Sequence, residues 1–251
     1  MTQRERAGPT ATLDPEEIDR FARLASEWWD PAGKFRALHR IGPARLTFLR
    51  DEMLRHFGLS PGLRPLQGLC VLDIGCGCGL IAEPLARLGA AVTGLDPAVE
   101  TIEAARRHAV GQELSVDYRA GRVEDLEAEG STFDAVVCLE VVEHVPDVGA
   151  FLKSCAALVR PGGLLLLSTI NRTVKAYLLA IVGAEYVLRW LPVGTHQWDR
   201  FVTPEELMRH CRAAGLEAPV LRGLVYNPLA DQWSVGTDID VNYLAAAARP
   251  G

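Results

Sequence analysis

The sequence predicts an α/β protein with a doubly wound, mostly parallel sheet of the Rossmann-like type and an N-terminal helical cap. Three observations predict this fold. Short apolar runs alternate with helical patterns from residue 68 onward, a glycine-rich turn follows the first run, and the composition is that of a folded globular chain, with 251 residues of which 49% are hydrophobic and 23% charged. Regular alternation of strands and helices is typical of parallel sheets with right-handed crossovers.

The chain is predicted to have three parts. Residues 1–11 are polar and patternless and are expected to form a disordered tail, and residues 12–67 carry helical patterns only. Residues 68–251 form the predicted sheet domain, which includes an apolar insertion at about 172–200. A chain of this length can bury a large core without disulfides or metals.

The helical cap is predicted from its capping residues and apolar spacing. Asp14 can cap a helix whose first position is Pro15, and Glu17 completes a capping box. Apolar residues at helical spacing continue this helix to Trp28. A second apolar-periodic stretch predicts a helix over Pro43–Phe57.

Short apolar runs are predicted to be buried strands, because a strand covered on both faces is apolar throughout. The predicted strands are Leu69–Ile74, Ala91–Leu95, Ser115–Ala120, Asp134–Leu139 and Leu164–Ser168. The predicted helices of this region are Leu80–Leu88, Val99–Val110 and Ala150–Val159. Gly89 ends the first of these helices, since glycine adopts the left-handed conformation that terminates a helix.

Charge and composition exclude several classes of function. Lys and Arg number 26 against 32 Asp and Glu, which gives a net charge of −6 and no basic footprint for nucleic acid. The N-terminus has no apolar signal region and no run is long enough to cross a membrane, so we expect a cytoplasmic protein. The six cysteines are scattered and are expected to be reduced thiols.

A turn of alternating glycines follows the first predicted strand. Gly75, Gly77 and Gly79 allow the backbone to approach a ligand closely at the carboxyl edge of the sheet. Asp96 ends the next strand about 20 residues later, where its carboxylate can accept hydrogen bonds from both ribose hydroxyls of a nucleoside. The turn and the acid together predict a nucleoside cofactor.

The residues leave two cofactors to be weighed. Gly77–Ala82 fits the G-x-G-x-x-A pattern of dinucleotide-binding turns, so an NAD-dependent dehydrogenase is one alternative. A pyrophosphate, however, is favoured at a helix N-terminus without a nearby anion, and Asp73 precedes the turn by two residues. An acid there fits the ammonium and sulfonium groups of S-adenosylmethionine.

Four motifs resemble those of class I S-adenosylmethionine-dependent methyltransferases. Val71–Gly79 and Val92–Asp96 are similar to the first two motifs, and Phe133–Glu140 and Leu158–Gly163 are similar to the fourth-strand motif and the turn before the fifth strand. The resemblance implies a methyltransferase and leaves the acceptor open.

A narrower resemblance, covering about residues 17 to 244, is to the ubiquinone-biosynthesis O-methyltransferases that act on polyprenylated hydroxybenzenes. It is carried by Trp28–Pro31, Phe35, Leu38–Ile41, Glu140–Asp147, Val182–Tyr186, Gly194–His196, Tyr226–Pro228 and Asp240–Tyr243. Gly42 stands where the family usually has Asn, and we expect this difference to affect only a local turn.

The resemblance also implies which residues bind the cofactor. Arg45 is expected to contact the cofactor carboxylate, and Asp73 and Gly77 belong to the glycine-turn motif. The resemblance implies that Gly75, Asp96 and Leu139 line the cofactor, with Val123 and Glu124 near the adenine.

Methylation of a phenol requires its anion, and an unperturbed phenol has a pKa of about 10. Glu140, Glu143 and His144 follow the fourth strand at a spacing that places them on one side of a helical turn. They could hold Mg²⁺ or another divalent cation that binds a catechol and stabilises its anion. Metal-free catalysis with His144 or His196 as general base remains open, because Mg²⁺ prefers oxygen ligands.

An apolar stretch, Val174–Trp190, is too short and too charged to span a bilayer. Its charged residues are Lys175, Glu185 and Arg189. Together with Arg172, which precedes the stretch, they share one edge of a predicted helix. Composition favours a core helix. The resemblance implies a substrate with a long isoprenoid tail and therefore favours contact of residues 172–191 with an anionic membrane surface, in which Lys175 and Arg189 meet lipid.

The resemblance thus implies a methyltransferase for polyprenylated phenols or catechols in ubiquinone synthesis, bound peripherally to the inner face of the membrane. Other enzymes of ubiquinone synthesis are conceivable partners. A methyltransferase for another apolar acceptor and a cofactor-binding protein without turnover are the alternatives, and the acidic and histidine residues after the fourth strand argue against the second.

Overall fold

The computed structural model describes residues 27–33, 35–179, 181 and 197–251. Its strands are β1 (Cys70–Ile74), β2 (Ala91–Asp96), β3 (Asp117–Ala120), β4 (Phe133–Leu139), β5 (Val159–Ile170), β6 (Val220–Asn227), β7 (Gln232–Gly236) and β8 (Asn242–Ala248). Its helices are α1 (Arg36–Phe57), α2 (Ala82–Arg87), α3 (Val99–Gly111), α4 (Val123–Ala128), α5 (Val148–Leu158), α6 (Val174–Ala176) and α7 (Pro204–Ala213). Short 3₁₀ turns cover Val142–His144 and Trp198–Arg200.

The strands form one sheet of eight, in the order β3-β2-β1-β4-β5-β8-β6-β7. Strands β1 to β5 are parallel to their neighbours among themselves, and β8, β6 and β7 add antiparallel pairs at one side. The predicted doubly wound, mostly parallel sheet is therefore confirmed. Parallel strands place the carboxyl ends of β1 to β4 at one edge, and the glycine turn lies there.

The core lies on both faces of this sheet. Alternate residues of each strand enter opposite apolar clusters: Val71 and Val137 pack on one face, whereas Leu72 and Val136 pack on the other. Continuous apolar runs in β1, β4 and β5 are explained by this two-sided burial.

The five predicted strands are all present, with small shifts at their ends. The largest difference is β5, which begins at Val159 rather than Leu164. Its register to β4 shifts between the pairs Phe133↔Val159 and Ala135↔Leu164, so the turn over residues 160–163 is accommodated as an irregularity of the strand. Strands β6 to β8 and helices α4 and α7 were not predicted.

Helix α1 begins earlier than predicted, at Arg36 rather than Pro43, and Pro43 lies inside it. The prediction of a local turn around Gly42 is therefore wrong, because Gly42 lies within α1. Its buried residues, which include Phe48 and Leu49, join the apolar cluster on one face of the sheet. The first predicted helix begins at Asp14, and its residues up to 26 lie outside the part of the chain that the structure describes.

The carboxyl edge of β5 leads into the predicted apolar insertion. Thr173 caps α6 by accepting a hydrogen bond from the backbone N–H of Ala176, and the helical turn continues through residues 177–179 and 181. Residues 182–196 lie outside the described part, and with them most of the predicted helix Val174–Trp190. Among the helices described, none has the length and apolar character needed to cross a membrane.

Candidate active site

The glycine turn connects β1 to α2 and is fixed by the neighbouring strand. The backbone N–H of Gly75 donates to the Leu95 carbonyl at 2.8 Å, and the N–H of Gly77 donates to Asp96 Oδ2 at 3.1 Å. Both glycines have positive φ, 68° and 53°. A Cβ on Gly75 would lie 2.5 Å from Val141 Cγ2, and one on Gly77 would overlap the Trp28 ring, so neither position admits a side chain.

Asp96 is positioned by two backbone donors. Besides the Gly77 N–H, the Ala98 N–H donates to its Oδ1 at 2.9 Å. Burial raises the pKa of Asp96 to about 6, while these two hydrogen bonds lower it. Each carboxylate oxygen retains a lone pair for a further donor, so the group could hold both hydroxyls of a ribose.

Asp73 lies on β1, in register with Gly94 of β2 and Val137 of β4. Its side chain is buried, and Oδ2 has no hydrogen-bond partner within the described residues. Burial and the nearby Asp96 raise its pKa to about 8. A buried carboxyl group with an open oxygen, two residues before the glycine turn, suits an ammonium ion.

Arg45 projects from α1 toward the end of β4. Its Nη2 lies 2.8 Å from Glu140 Oε1, and the same oxygen accepts a hydrogen bond from Ser168 Oγ at 2.6 Å. The guanidinium is buried, and its Nε has no hydrogen-bond partner in the described part of the chain. A buried guanidinium with a spare donor could hold the cofactor carboxylate, in keeping with the predicted role of Arg45.

Glu143 and His144 lie on the 3₁₀ turn that follows β4. Thr169 Oγ1 donates to Glu143 Oε2 at 2.9 Å, whereas Glu143 Oε1 has no partner among the described residues. Burial and Glu140 raise the pKa of Glu143 to about 7, and His144 lowers it. The His144 backbone N–H donates to Val141 at 2.8 Å, which closes the turn.

The predicted ligand set of Glu140, Glu143 and His144 shares this turn but does not form a preassembled metal site. Residues 27–33, 35–179, 181 and 197–251 contain no group of three His, Cys, Asp or Glu side chains placed to hold a metal ion. The two carboxylates are instead held by hydroxyls of successive β5 residues, Ser168 and Thr169.

The remaining predicted cofactor residues lie at the same edge. Leu139 ends β4, and Val123 and Glu124 begin α4, just after β3. Glu124 is half-buried, with its carboxylate 3.4 Å from Arg122 Nε. The other predicted base, His196, is outside the described residues.

Sequence reasoning missed three contacts of this site. Ser168 and Thr169 were not singled out, although two hydroxyl residues at the end of an apolar strand were a visible signal. Trp28 was predicted only as the end of a helix, and its contact with Gly77 had no local signal, because the two residues are far apart in the chain.

The fold is shared with known methyltransferases. A family model described as a methyltransferase domain matches residues 72–167. Magnesium protoporphyrin IX methyltransferase from Synechocystis PCC 6803, solved with bound SAH, superposes with a TM-score of 0.62 at 20% identity over 94% of each chain. A possible histamine N-methyltransferase from Thermotoga maritima gives 0.64 at 19% identity over 93% of this chain and 99% of that one. The fold and the glycine turn are those of class I S-adenosylmethionine-dependent methyltransferases.

Sequence relatives narrow the class. The Methylocella silvestris protein named ubiquinone biosynthesis O-methyltransferase is 52% identical over 99% of both chains, and its Azorhizobium caulinodans namesake is 55% identical over 93% of this chain and 92% of that one. The chain belongs to the ubiquinone biosynthesis O-methyltransferase family. The predicted family and the predicted cofactor, S-adenosylmethionine, are confirmed, and the dehydrogenase alternative is set aside.

The raised pKa of Asp73 leads to a prediction about cofactor binding. With a pKa of about 8, this carboxyl is mostly protonated at pH 7 in the ligand-free protein. An ammonium beside it favours the carboxylate, so S-adenosylhomocysteine binding at pH 7 should release close to one proton, and affinity should increase as the pH approaches 8. Titration calorimetry in buffers of different ionisation enthalpy measures the released proton.

The matched variants are Asp73→Asn, which should lose the proton release, and Asp117→Asn, an exposed aspartate paired with Arg119, which should keep it. The raised pKa also means that the folded chain holds a proton that the unfolded chain has released. The contribution of Asp73 to the free energy of unfolding without ligand should therefore fall as the pH rises from about 4 to about 8, and the Asp73→Asn variant should lack it. Equal proton release by the Asp73→Asn variant would contradict this role.

Proposed function

We propose that this enzyme transfers a methyl group from S-adenosylmethionine to phenolic hydroxyls of polyprenylated hydroxybenzenes in ubiquinone biosynthesis. The observation that carries the proposal is the contact between the turn after β4 and the glycine turn, where Val141 packs directly against Gly75. Because of this contact, the acidic and histidine residues of the turn after β4 lie beside the glycine turn. The names of the family relatives support the acceptor class.

When bound, S-adenosylmethionine supplies an electrophilic methyl group on a sulfonium. The chain's own residues must bring the acceptor oxygen to it and remove the phenolic proton. Glu143, held by Thr169 through one oxygen and open at the other, orients the hydroxyl, and Glu143 or His144 accepts its proton. The new carbon–oxygen bond forms as the methyl–sulfur bond breaks, which leaves S-adenosylhomocysteine and the aryl methyl ether.

The divalent cation predicted at Glu140, Glu143 and His144 stays a prediction. Among the described residues these side chains do not form a three-ligand site, and Glu140 is already engaged by Arg45 and Ser168. No step above is therefore assigned to a cation.

The acceptor class is tested by incubating the full chain with labelled S-adenosylmethionine and a polyprenyl catechol. We expect one labelled methyl on a ring oxygen, identified by mass spectrometry of the product, and none on a control polyprenyl ring whose hydroxyls are already methylated. Transfer to carbon or nitrogen acceptors, with none to the catechol, would contradict the proposal and leave only the methyltransferase class.

Thr169 offers a test of Glu143. Thr169→Val keeps the shape but removes the hydroxyl that donates to the carboxylate, and should lower kcat roughly tenfold or more, since hydrogen bonds to charged groups are worth about 1.5–3 kcal/mol. Thr169→Ser keeps the donor and should retain most of the activity. The affinity for S-adenosylhomocysteine, measured by calorimetry, should stay unchanged in both variants because the contact concerns the acceptor.

Two further measurements distinguish a general base from a bound divalent cation. Glu143→Gln should lower kcat far more than cofactor affinity, whichever role the carboxylate has. Full activity in excess chelator, with continued dependence on Glu143 or His144, supports the general base. If chelator abolishes the activity and Mg²⁺ restores it, the cation is established and the metal-free version is refuted.

For the Thr169 variants, an equal drop in kcat for Thr169→Val and Thr169→Ser would contradict the role of the hydroxyl.

We further propose that the chain contacts membrane through an apolar patch, which supports the predicted peripheral location. The patch contains the exposed side chains of the α6 region and the following 3₁₀ turn: Val174 (73% exposed), Tyr177 (44%), Leu178 (52%), Leu179 (55%) and Trp198 (41%). Trp198 is tied to the α6 region by its Nε1, which donates to the Thr173 carbonyl at 3.3 Å. Ala176 and Ile181 point the other way and pack against Ile170 and Phe201.

Lys175 and Arg172, the two residues of the predicted charged edge that the structure describes, are paired within the protein. Lys175 Nζ lies 2.6 Å from Asp238 and 3.2 Å from Asp240, and Arg172 forms an ion pair with Glu206. The expectation that Lys175 meets anionic lipid is therefore revised: its charge is balanced by two aspartates. Apolar insertion, rather than electrostatic attraction, is the proposed basis of contact, which also suits the net charge of −6.

Aspartate substitutions within the patch should weaken membrane binding. Leu178→Asp or Leu179→Asp should reduce co-sedimentation with phosphatidylethanolamine–phosphatidylglycerol vesicles at least about fivefold, because burial of a leucine side chain contributes about 1.5–3 kcal/mol. Leu63→Asp is the matched control, since Leu63 is 97% exposed but lies outside the patch.

Activity on a soluble catechol without a prenyl tail should be largely unchanged in all these variants. Ile181→Asp should behave differently and destabilise the fold, because Ile181 packs in the apolar cluster beneath the patch. If Leu63→Asp reduces binding as much as Leu179→Asp, or if the patch variants lose activity on the soluble catechol, the membrane proposal is wrong.

A further inference from the structure

A pair of tryptophans covers the glycine turn from outside the sheet. The ring of Trp28 lies on Gly77, at the place where a side chain of that residue would project. Trp28 is buried and stacks on Phe35, with ring centroids 4.0 Å apart and planes 27° apart. His39 Nε2 lies 2.8 Å from the Trp28 carbonyl oxygen, which ties this residue to α1. Trp28 and Trp29 are called the cover below.

The second tryptophan of the cover is held by a different element. Trp29 stacks on His108 of α3, with ring centroids 3.5 Å apart and planes 9° apart. His108 Nδ1 in turn lies 2.7 Å from Glu83 Oε1. Glu83 belongs to α2, the helix that follows the glycine turn. Its backbone N–H donates to the Gly79 carbonyl at 3.0 Å. His108 and Glu83, which hold Trp29, are called the latch.

The latch is built of groups that packing alone does not require. Glu83 is only 1% exposed, and a buried carboxylate is costly unless it is hydrogen-bonded. An apolar residue at this position of a short helix would stabilise the fold at lower cost. The imidazole satisfies the carboxylate and at the same time offers a flat face to Trp29. Burial of Glu83 is costly, but it holds His108 in the position where the imidazole stacks on Trp29.

The cover lies where it affects a ligand of the glycine turn. The Gly77 N–H donates to Asp96, the carboxylate proposed to hold the ribose, and the Trp28 ring packs against the Cα of the same residue. Displacement of Trp28 would remove the packing that holds Gly77 against this acid. Because Trp29 directly follows Trp28, its stack on His108 sets how readily Trp28 can leave.

We propose that the cover retains the cofactor in its turn and that the latch sets the rate at which the cover opens. Trp28 is thus a positioning residue for the glycine turn, and His108 acts through Trp29. The inference rests on the cofactor and not on the proposed acceptor, so failure of the phenol assignment would leave it intact.

The test is the dissociation rate of S-adenosylhomocysteine from the immobilised full chain, measured by surface plasmon resonance. His108→Ala removes both the stack and the partner of Glu83 and should accelerate dissociation at least about fivefold. His56→Ala is the matched control, because His56 contacts the Gly162 carbonyl far from the glycine turn, and it should leave the rate unchanged. The KM for S-adenosylmethionine should rise in the His108→Ala variant without a fall in kcat.

Conservative variants separate a latch from a structural role. His108→Phe keeps a ring against Trp29 but cannot bond Glu83, and should give an intermediate rate. If His108→Ala does not fold, Trp29→Ala and Trp29→Phe replace it, and the phenylalanine should restore slow dissociation. The proposal is overturned if the alanine variants release the ligand no faster than His56→Ala, or if only the thermal midpoint falls while the dissociation rate is unchanged.

Discussion

The close approach of three chain segments at the glycine turn is the constraint on which the rest of the site depends. Val141 and Trp28 occupy the space that side chains at Gly75 and Gly77 would need, and the turn adopts positive φ at both positions. Because Gly75 and Gly77 have no side chains, the segment after β4 can reach the first and the N-terminal segment can reach the second. The residues proposed to hold the cofactor, those proposed to hold the acceptor and the proposed cover are therefore neighbours.

The site also buries two carboxyl groups whose charged forms are disfavoured in the ligand-free fold. Asp73 and Asp96 are both buried beside the turn, and burial raises the pKa of each. Apolar residues would give a more stable fold at these positions. The cost is consistent with function, because a cofactor that brings an ammonium and ribose hydroxyls supplies the missing partners at the moment of binding.

Local patterns predicted the parallel half of the fold and the cofactor turn. The apolar runs of β1 to β4, the glycines and Asp96 each lie within short stretches whose chemistry is readable without the rest of the chain. Pro43 misled the prediction of α1, since proline is favoured in the first turn of a helix but here lies inside one. Strand β8 was missed because it is rich in alanine, a weak strand former that fits here against the leucines of β5.

The contacts that organise the site could not be read from local patterns, since they join distant segments. Ser168 and Thr169 hold Glu140 and Glu143 from another strand, and Trp28 reaches Gly77 from before α1. Such contacts depend on the register of whole elements, which a single sequence does not specify.

The end of β5 connects the two proposed functions of the chain. Thr169 donates a hydrogen bond to Glu143 at the proposed acceptor site, and the next residue, Ile170, packs with Ala176 beneath the apolar patch. A ring positioned at Glu143 and an isoprenoid tail lying at the patch would therefore contact the same strand end within a few residues. The pairing of Lys175 with Asp238 and Asp240 supports this arrangement, because it fixes α6 against the loop before β8 and leaves the apolar side chains facing outward. The proposed chemistry and the proposed lipid contact would thus be joined through strand β5.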